Sequence, residues 1–284
     1  MALFKENPFG HVLFLKKWLI RIMGVATHQR YKGFNTLEIE GSDVIRGLPD
    51  KNVLFVSNHQ TYFADVVAMF HVFNASLHGR ENTIKNVGYV WQPKLNIYYI
   101  AAKETMKKSL FTKLLAYAGS ISVERTWRAN GQNVNRQVKM SDISNIGTAL
   151  KDGWVITFPQ GTTTPWKPLR KGTAHIIKKY KPLVVPVVID GFRRSFDKKG
   201  IRIKKKGILQ SMIVKEPLEI DYENESTDAI IEKLEYAIEQ HPSFLKVIPQ
   251  KELAAYEKEN QQRRWRPNTP DERSYGEDSN PVKG

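Results

Sequence analysis

Three continuous apolar runs constrain this chain more than anything else in it: Val53-Leu54-Phe55-Val56, Trp154-Val155-Ile156-Thr157-Phe158 and Leu183 to Ile189. None alternates apolar with polar residues, so each reads as a strand buried on both faces by covering helices. Shorter strand-like segments are Thr36 to Glu40, Tyr98 to Ala102, Ser120 to Val123, Ile201 to Ile203 and Met212 to Val214. Helical spacing appears over Asp65 to Val72, around Leu110 to Tyr117, over Val138 to Leu150, in a basic helix around Ala174 to Tyr180, and over Asp228 to Glu239. Buried strands alternating with helices predict an α/β domain spanning residues 31–256, with a mixed, mainly parallel sheet flanked by helices.

The ends of the chain read differently. Residues 1–30 hold one helix, centred on Pro8 to Ala26, rich in Phe, Leu, Ile and Trp but interrupted by Lys16, Lys17 and Arg21. Those charges leave too short an apolar stretch for a membrane span, which takes about 20 residues. An apolar face beside a basic one suits a helix lying in the bilayer interface. The alternative is a helix packed on the core with Lys16 and Lys17 facing solvent. Residues 257–284 are polar and read as a disordered or surface-lying tail.

The 44 Lys and Arg against 29 Asp and Glu leave a formal net charge of +15, which implies an anionic partner. Dense basic runs at Lys178 to Lys181 and Lys198 to Lys206 are candidates for an anionic membrane surface or an acidic partner, or they form a solvated hairpin. No nucleic-acid module accompanies them. The absence of cysteine excludes disulfides, thiolate metal sites and a cysteine nucleophile.

At the end of the first buried run stand Asn58 and His59, with Asp65 six positions after the histidine. A His backed by a carboxylate is a standard general base near neutral pH. His11, His28, His71, His175 and His241 have no carboxylate at a spacing that suggests such a relay. Regular helix would point His59 and Asp65 about 240° apart, so the pairing requires a loop or bulge between them. Two further segments end strands: Gly119 to Arg125, closing on an arginine suited to an anion, and Phe158-Pro159-Gln160-Gly161-Thr162-Thr163. The second also reads as an ordinary strand-to-helix turn.

In this order the segments resemble the glycerolipid acyltransferases of the 1-acylglycerol-3-phosphate acyltransferase type. Asn58-His59 with Asp65, Gly119 to Arg125, Phe158 to Thr163, and Val185-Pro186-Val187 stand for the four family motifs, over roughly residues 50–195. The resemblance implies a membrane-associated O-acyltransferase of lipid biosynthesis. In it His59 takes the proton of a lyso-lipid hydroxyl as that oxygen attacks an acyl thioester, and Asp65 orients the imidazole. It implies Arg125, Asn58, Gln160, Gly161, Thr162, Thr163 and Pro186 on the substrate side. The donor would be an acyl-carrier-protein or coenzyme A thioester, with no tightly bound cofactor and no metal. The place would be the cytoplasmic face of a bacterial inner membrane.

The chain departs from the family pattern three times. Five residues, not four, separate His59 from Asp65; Gln160 stands where Glu is usual; Thr163 stands where Arg is frequent. Loss of that arginine removes a bidentate phosphate clamp and leaves an acylated amino acid open as acceptor. Arg170 and Lys171 are candidate replacements. A catalytically idle lipid-binding relative is the competing reading.

Overall fold

The computed structural model describes residues 5–103, 110–124, 128–129, 132–133 and 139–244. Its elements in chain order are α1 (Leu13–Lys32), β1 (Thr36–Glu40), β2 (Val53–Ser57), α2 (Ala64–Leu77), β3 (Ile97–Ala102), α3 (Leu110–Tyr117), β4 (Ser120–Val123), β5 (Arg128–Ala129), β6 (Gln132–Asn133), α4 (Met140–Asp152), β7 (Trp154–Thr157), α5 (Lys171–Tyr180), β8 (Leu183–Asp190), α6 (Phe192–Ser195), β9 (Leu209–Val214) and α7 (Thr227–Ala237).

The three apolar runs are β2, β7 and β8, and they lie side by side at the centre of a seven-stranded sheet of order β1-β9-β8-β2-β7-β3-β4. All neighbours are parallel except β8 and β9. The expected mixed, mainly parallel sheet is therefore present. Alternate residues of β2 feed opposite cores. Val53 and Phe55 face Phe73, Trp154 and the α2 side, whereas Leu54 and Val56 face Ile146, Ile177, Ile230 and Leu234 of α4, α5 and α7. Phe55 stacks on Phe73 with ring centroids 4.2 Å apart. Full burial of such a side chain is worth about 1.5–3 kcal/mol, so strands of this kind cannot slip by one residue cheaply.

Ile201 to Ile203 does not form the strand its β-branched residues suggested. Only an isolated bridge joins Phe196 and Ile203, because the segment is a lysine-rich turn with few buried side chains. Residues 257–284 lie outside the described residues.

Helix α1 contradicts the solvent-facing alternative for Lys16. Its inner face comprises Lys16, Ile20, His28 and Tyr31, spaced by helical turns, and the Lys16 side chain is 0% exposed. The outer face carries Phe14, Leu15, Trp18, Ile22 and Val25, all exposed. Arg21 lies over the rings of Trp18 and of exposed Trp91. No described helix is long and apolar enough to cross a membrane.

Candidate active site

The chain leaves β2 toward β3 and leaves neighbouring β7 back toward β8. These opposite exits open a crevice at the C-terminal ends of the two strands, where open α/β sheets hold ligands. His59 follows β2 and Phe158 follows β7. Their rings stack with centroids 3.9 Å apart and planes 19° from parallel, which fixes the imidazole plane.

His59 Nδ1 lies 2.9 Å from Asp65 Oδ2. The extra intervening residue is absorbed because residues 59–63 are not helical; α2 begins at Ala64 and carries Asp65 in its first turn. Asp65 is completely buried. Its carboxylate accepts from the Gln60 amide at 2.6 Å, from the Thr61 amide at 3.0 Å and from the Thr61 hydroxyl at 2.6 Å. A buried carboxylate needs such donors, and here they also aim one oxygen at the imidazole. With Nδ1 facing Asp65, Nε2 is the ring nitrogen left to meet a substrate hydroxyl.

His59 opens onto a pocket of about 480 Å³. One wall is apolar, formed by Ala101, Val123, Ile143, Ile146 and Ile176. A basic margin comes from Arg170 and Lys171 at the start of α5 and from Lys179 in its last turn, with Gly161 at the loop. Lys171 also pairs with exposed Asp228, at 2.6 Å. Glu124 on the opposite margin is held by hydrogen bonds from Lys139 and Lys103, which pull its carboxyl down to about 2. It is therefore an anion at neutral pH, paired with both lysines.

Several residues expected on the substrate side do not line this pocket. Asn58 is a cross-strand tie: its Nδ2 donates to Ile189 O at 2.8 Å and its Oδ1 accepts from Ile189 N at 2.9 Å. Gln160 turns the other way, donating from Nε2 to Lys167 O and to Gln240 Oε1, and so anchors the loop after β7 to the end of α7. Thr162 bonds Thr164 within that loop, and Thr163 is buried. Pro186 is buried in β8 beside Val56, where its carbonyl accepts from Lys215 N at 3.0 Å. Arg125 lies outside the described residues. Two lining residues had no sequence signal in their favour, Tyr62 and His175, and His175 was set aside for want of a carboxylate. Phe158 was visible in its motif, but only the stacking on His59 reveals its part.

Beneath α1, buried His71 has a different situation. His71 bonds Tyr89 through Nδ1 and Thr27 through Nε2, and burial, then the neighbouring His28, pushes it down to about 3. It is a neutral structural histidine.

The α/β sheet thus carries a His–Asp pair at its strand ends, and the pair opens onto a mostly apolar pocket. Residues 36–190, more than half of the chain, match the family model described as Acyltransferase, and the protein belongs to that family of enzymes. No curated protein matches it significantly. Eight chains of known structure match. One is the 1-acyl-sn-glycerophosphate (LPA) acyltransferase PlsC from Thermotoga maritima, 18% identical over 80% of this chain and 77% of that one, with a TM-score of 0.48.

Proposed function

We propose that the protein transfers a fatty acyl group from an acyl thioester to a hydroxyl of a lyso-lipid at a membrane surface. The observation that carries this is the His59–Asp65 contact of 2.9 Å at the mouth of a mainly apolar pocket. His59 Nε2 takes the hydroxyl proton as the oxygen attacks the thioester carbonyl. The tetrahedral adduct collapses by breaking the C–S bond, and the thiolate receives the proton from the imidazolium. Asp65 keeps its negative charge throughout and stabilises the cationic ring. No covalent acyl-enzyme is needed, in keeping with a chain that has no cysteine.

The apolar wall at Val123, Ile143, Ile146 and Ile176 suits an acyl chain, and Arg170, Lys171 and Lys179 suit an anionic head group, with Arg125 as a further contact. Acyl carrier protein and coenzyme A thioesters are both anionic donors that the net charge of +15 would attract. Turnover of the purified protein is expected with an acyl thioester and at least one member of a lyso-lipid panel containing lysophosphatidic acid and acylated amino acids. Affinity without turnover across the panel and both donors would favour the idle lipid-binding relative.

The outer face of α1 supports interfacial docking. Phe14, Leu15, Trp18, Ile22 and Val25 form an exposed apolar stripe with Trp91 and Arg21 beside it, the composition of a helix lying in a bilayer surface. Such docking would make the enzyme a peripheral membrane protein, with the cytoplasmic face of a bacterial inner membrane as its proposed location. The double variant Trp18→Ala/Ile22→Ala is expected to partition onto phosphatidylglycerol-containing vesicles roughly tenfold more weakly, since two apolar side chains leave the interface. Its activity on a monodisperse short-chain acceptor should be retained. Unchanged co-sedimentation would refute interfacial docking by α1.

A further inference from the structure

Four of the five residues between His59 and Asp65, Gln60 to Phe63, form a non-helical loop, and such a loop keeps a base within hydrogen-bond reach of its carboxylate only if its own polar groups are tied down. Most of the ties come from beyond residue 190, where the family match ends: Phe192, Arg193, Lys198 and Lys199 supply four, beside Ile189 and Asp190 at the end of β8. We infer that residues 191–200 are a positioning element for the His59–Asp65 pair, an inference that rests on the reading of His59 as the base.

Two independent sets of contacts make the case. The first passes through Gln60, whose amide donates to Asp65 while its side chain reaches away from the pocket. Gln60 Oε1 accepts from Phe192 N at 2.9 Å and from Arg193 N at 3.2 Å. Its Nε2 donates to Asp190 Oδ1 at 3.1 Å and to Ile189 O at 3.3 Å. One side chain thus joins the dyad loop to the junction of β8 and α6 in four places.

The second set acts on the far end of the loop. Helix α2 has no side-chain cap at its N-terminus, and the amides just before it are taken up from outside. Tyr62 N donates to Lys198 O and Phe63 N donates to Lys199 O, each at 3.1 Å. The turn that presents those carbonyls is itself braced: Asp197 Oδ1 accepts from Ile201 N and Arg202 N at 2.8 and 2.9 Å. Arg30 of α1 donates to Ile201 O at 2.7 Å.

Gly200 shows how closely the turn presses on the loop. Its φ is +74°, in the left-handed region, and a Cβ there would meet Ala64 N at 2.5 Å and Thr61 Oγ1 at 2.8 Å. Thr61 and Ala64 flank the stretch that delivers Asp65, so a side chain at position 200 pushes on the carboxylate's own supports. The turn therefore holds the loop in the shape that accommodates five intervening residues. Lys198 and Lys199 do this through their carbonyls, whatever their ammonium groups bind.

The test uses the full chain and two variants, Gly200→Ala and Gln60→Ala, neither of which alters a group facing the pocket. Each is measured for kcat, for KM toward the acyl thioester, for the thermal midpoint, and for the low-field proton NMR signal of a His Nδ1–H bonded to a carboxylate. The expected result is a fall in kcat of roughly 100-fold for Gly200→Ala and tenfold for Gln60→Ala, with KM unchanged within about twofold and the low-field signal lost. Gln60→Ala decides the matter where Gly200→Ala does not fold. Wild-type kcat in the folded variants overturns the inference. So does a reduced kcat with the low-field signal intact, because the defect then lies elsewhere. Retained activity in His59→Ala instead overturns the reading of the base, which the other outcomes leave standing.

Discussion

Replacing His59 with alanine is expected to lower kcat by roughly 10²–10⁴-fold while leaving the protein folded. The size follows from what the side chain alone supplies. In the proposed mechanism His59 alone takes the acceptor's proton, and Asp65, completely buried behind the imidazole, cannot reach the pocket. The survival of the fold follows from the same geometry. After the substitution the Asp65 carboxylate still accepts from the Gln60 amide, the Thr61 amide and the Thr61 hydroxyl, so no buried charge is orphaned. The loss is confined to one hydrogen bond and the stacking on Phe158. Steady-state kinetics beside a thermal melt check both halves. Full activity in a folded His59→Ala protein would remove the imidazole from the chemistry, and a collapsed melt would show that the pair is also a fold determinant.

The sheet could be read from the chain because its central strands are buried on both faces and must be apolar at every position. Val53 to Val56, Trp154 to Thr157 and Leu183 to Ile189 leave no other structure that hides them. Ile201 to Ile203 has the same β-branched residues, but lysines surround it and its two isoleucines are only half-buried against the α2-side core, so propensity with partial burial produced only a bridge. The dyad was legible in kind and not in geometry. Helical spacing set His59 and Asp65 apart, yet the residues between them are loop held by distant carbonyls, which no local pattern can announce. Motif residues also mislead about direction. Asn58 and Gln160 stand in chemistry-bearing segments while their side chains hold strands and loops together, and Pro186 is buried within β8. A motif locates a backbone; only packing tells which way each side chain turns.

Lys16 marks the opposite failure and yields the largest expected change in stability. In the sequence Lys16 reads as part of a basic face on an interfacial helix or, alternatively, as facing solvent, but the 3.6-residue repeat puts it in line with Ile20, His28 and Tyr31 on the inner face. Its Nζ is buried 4.6 Å above the centre of the Tyr98 ring and has no hydrogen-bond partner among the described residues. Tyr98 OH donates instead to Asp152 Oδ2 at 2.6 Å. Burial pushes the ammonium group from 10.5 down to about 8, only partly opposed by Asp152. A shift of that size corresponds to about 3 kcal/mol of native-state penalty while the group is charged in both states. Lys16→Met keeps the unbranched apolar stem and removes the charge, so it should stabilise the protein at pH 7 by about 2–3 kcal/mol and raise Tm by several degrees. The pH dependence fixes the cause. Between about 8 and 10.5 the unfolded chain binds the proton that the native chain has already lost, so wild-type stability rises with pH across that window. The methionine variant lacks that rise, and its advantage should shrink from pH 8 upward and nearly vanish above pH 10.5. Urea denaturation of the two proteins at pH 7, 9 and 10.5 measures the difference directly. An advantage that stays constant over this range would assign the gain to packing, and no advantage at pH 7 would mean that the Lys16 charge carries no such penalty in the native state.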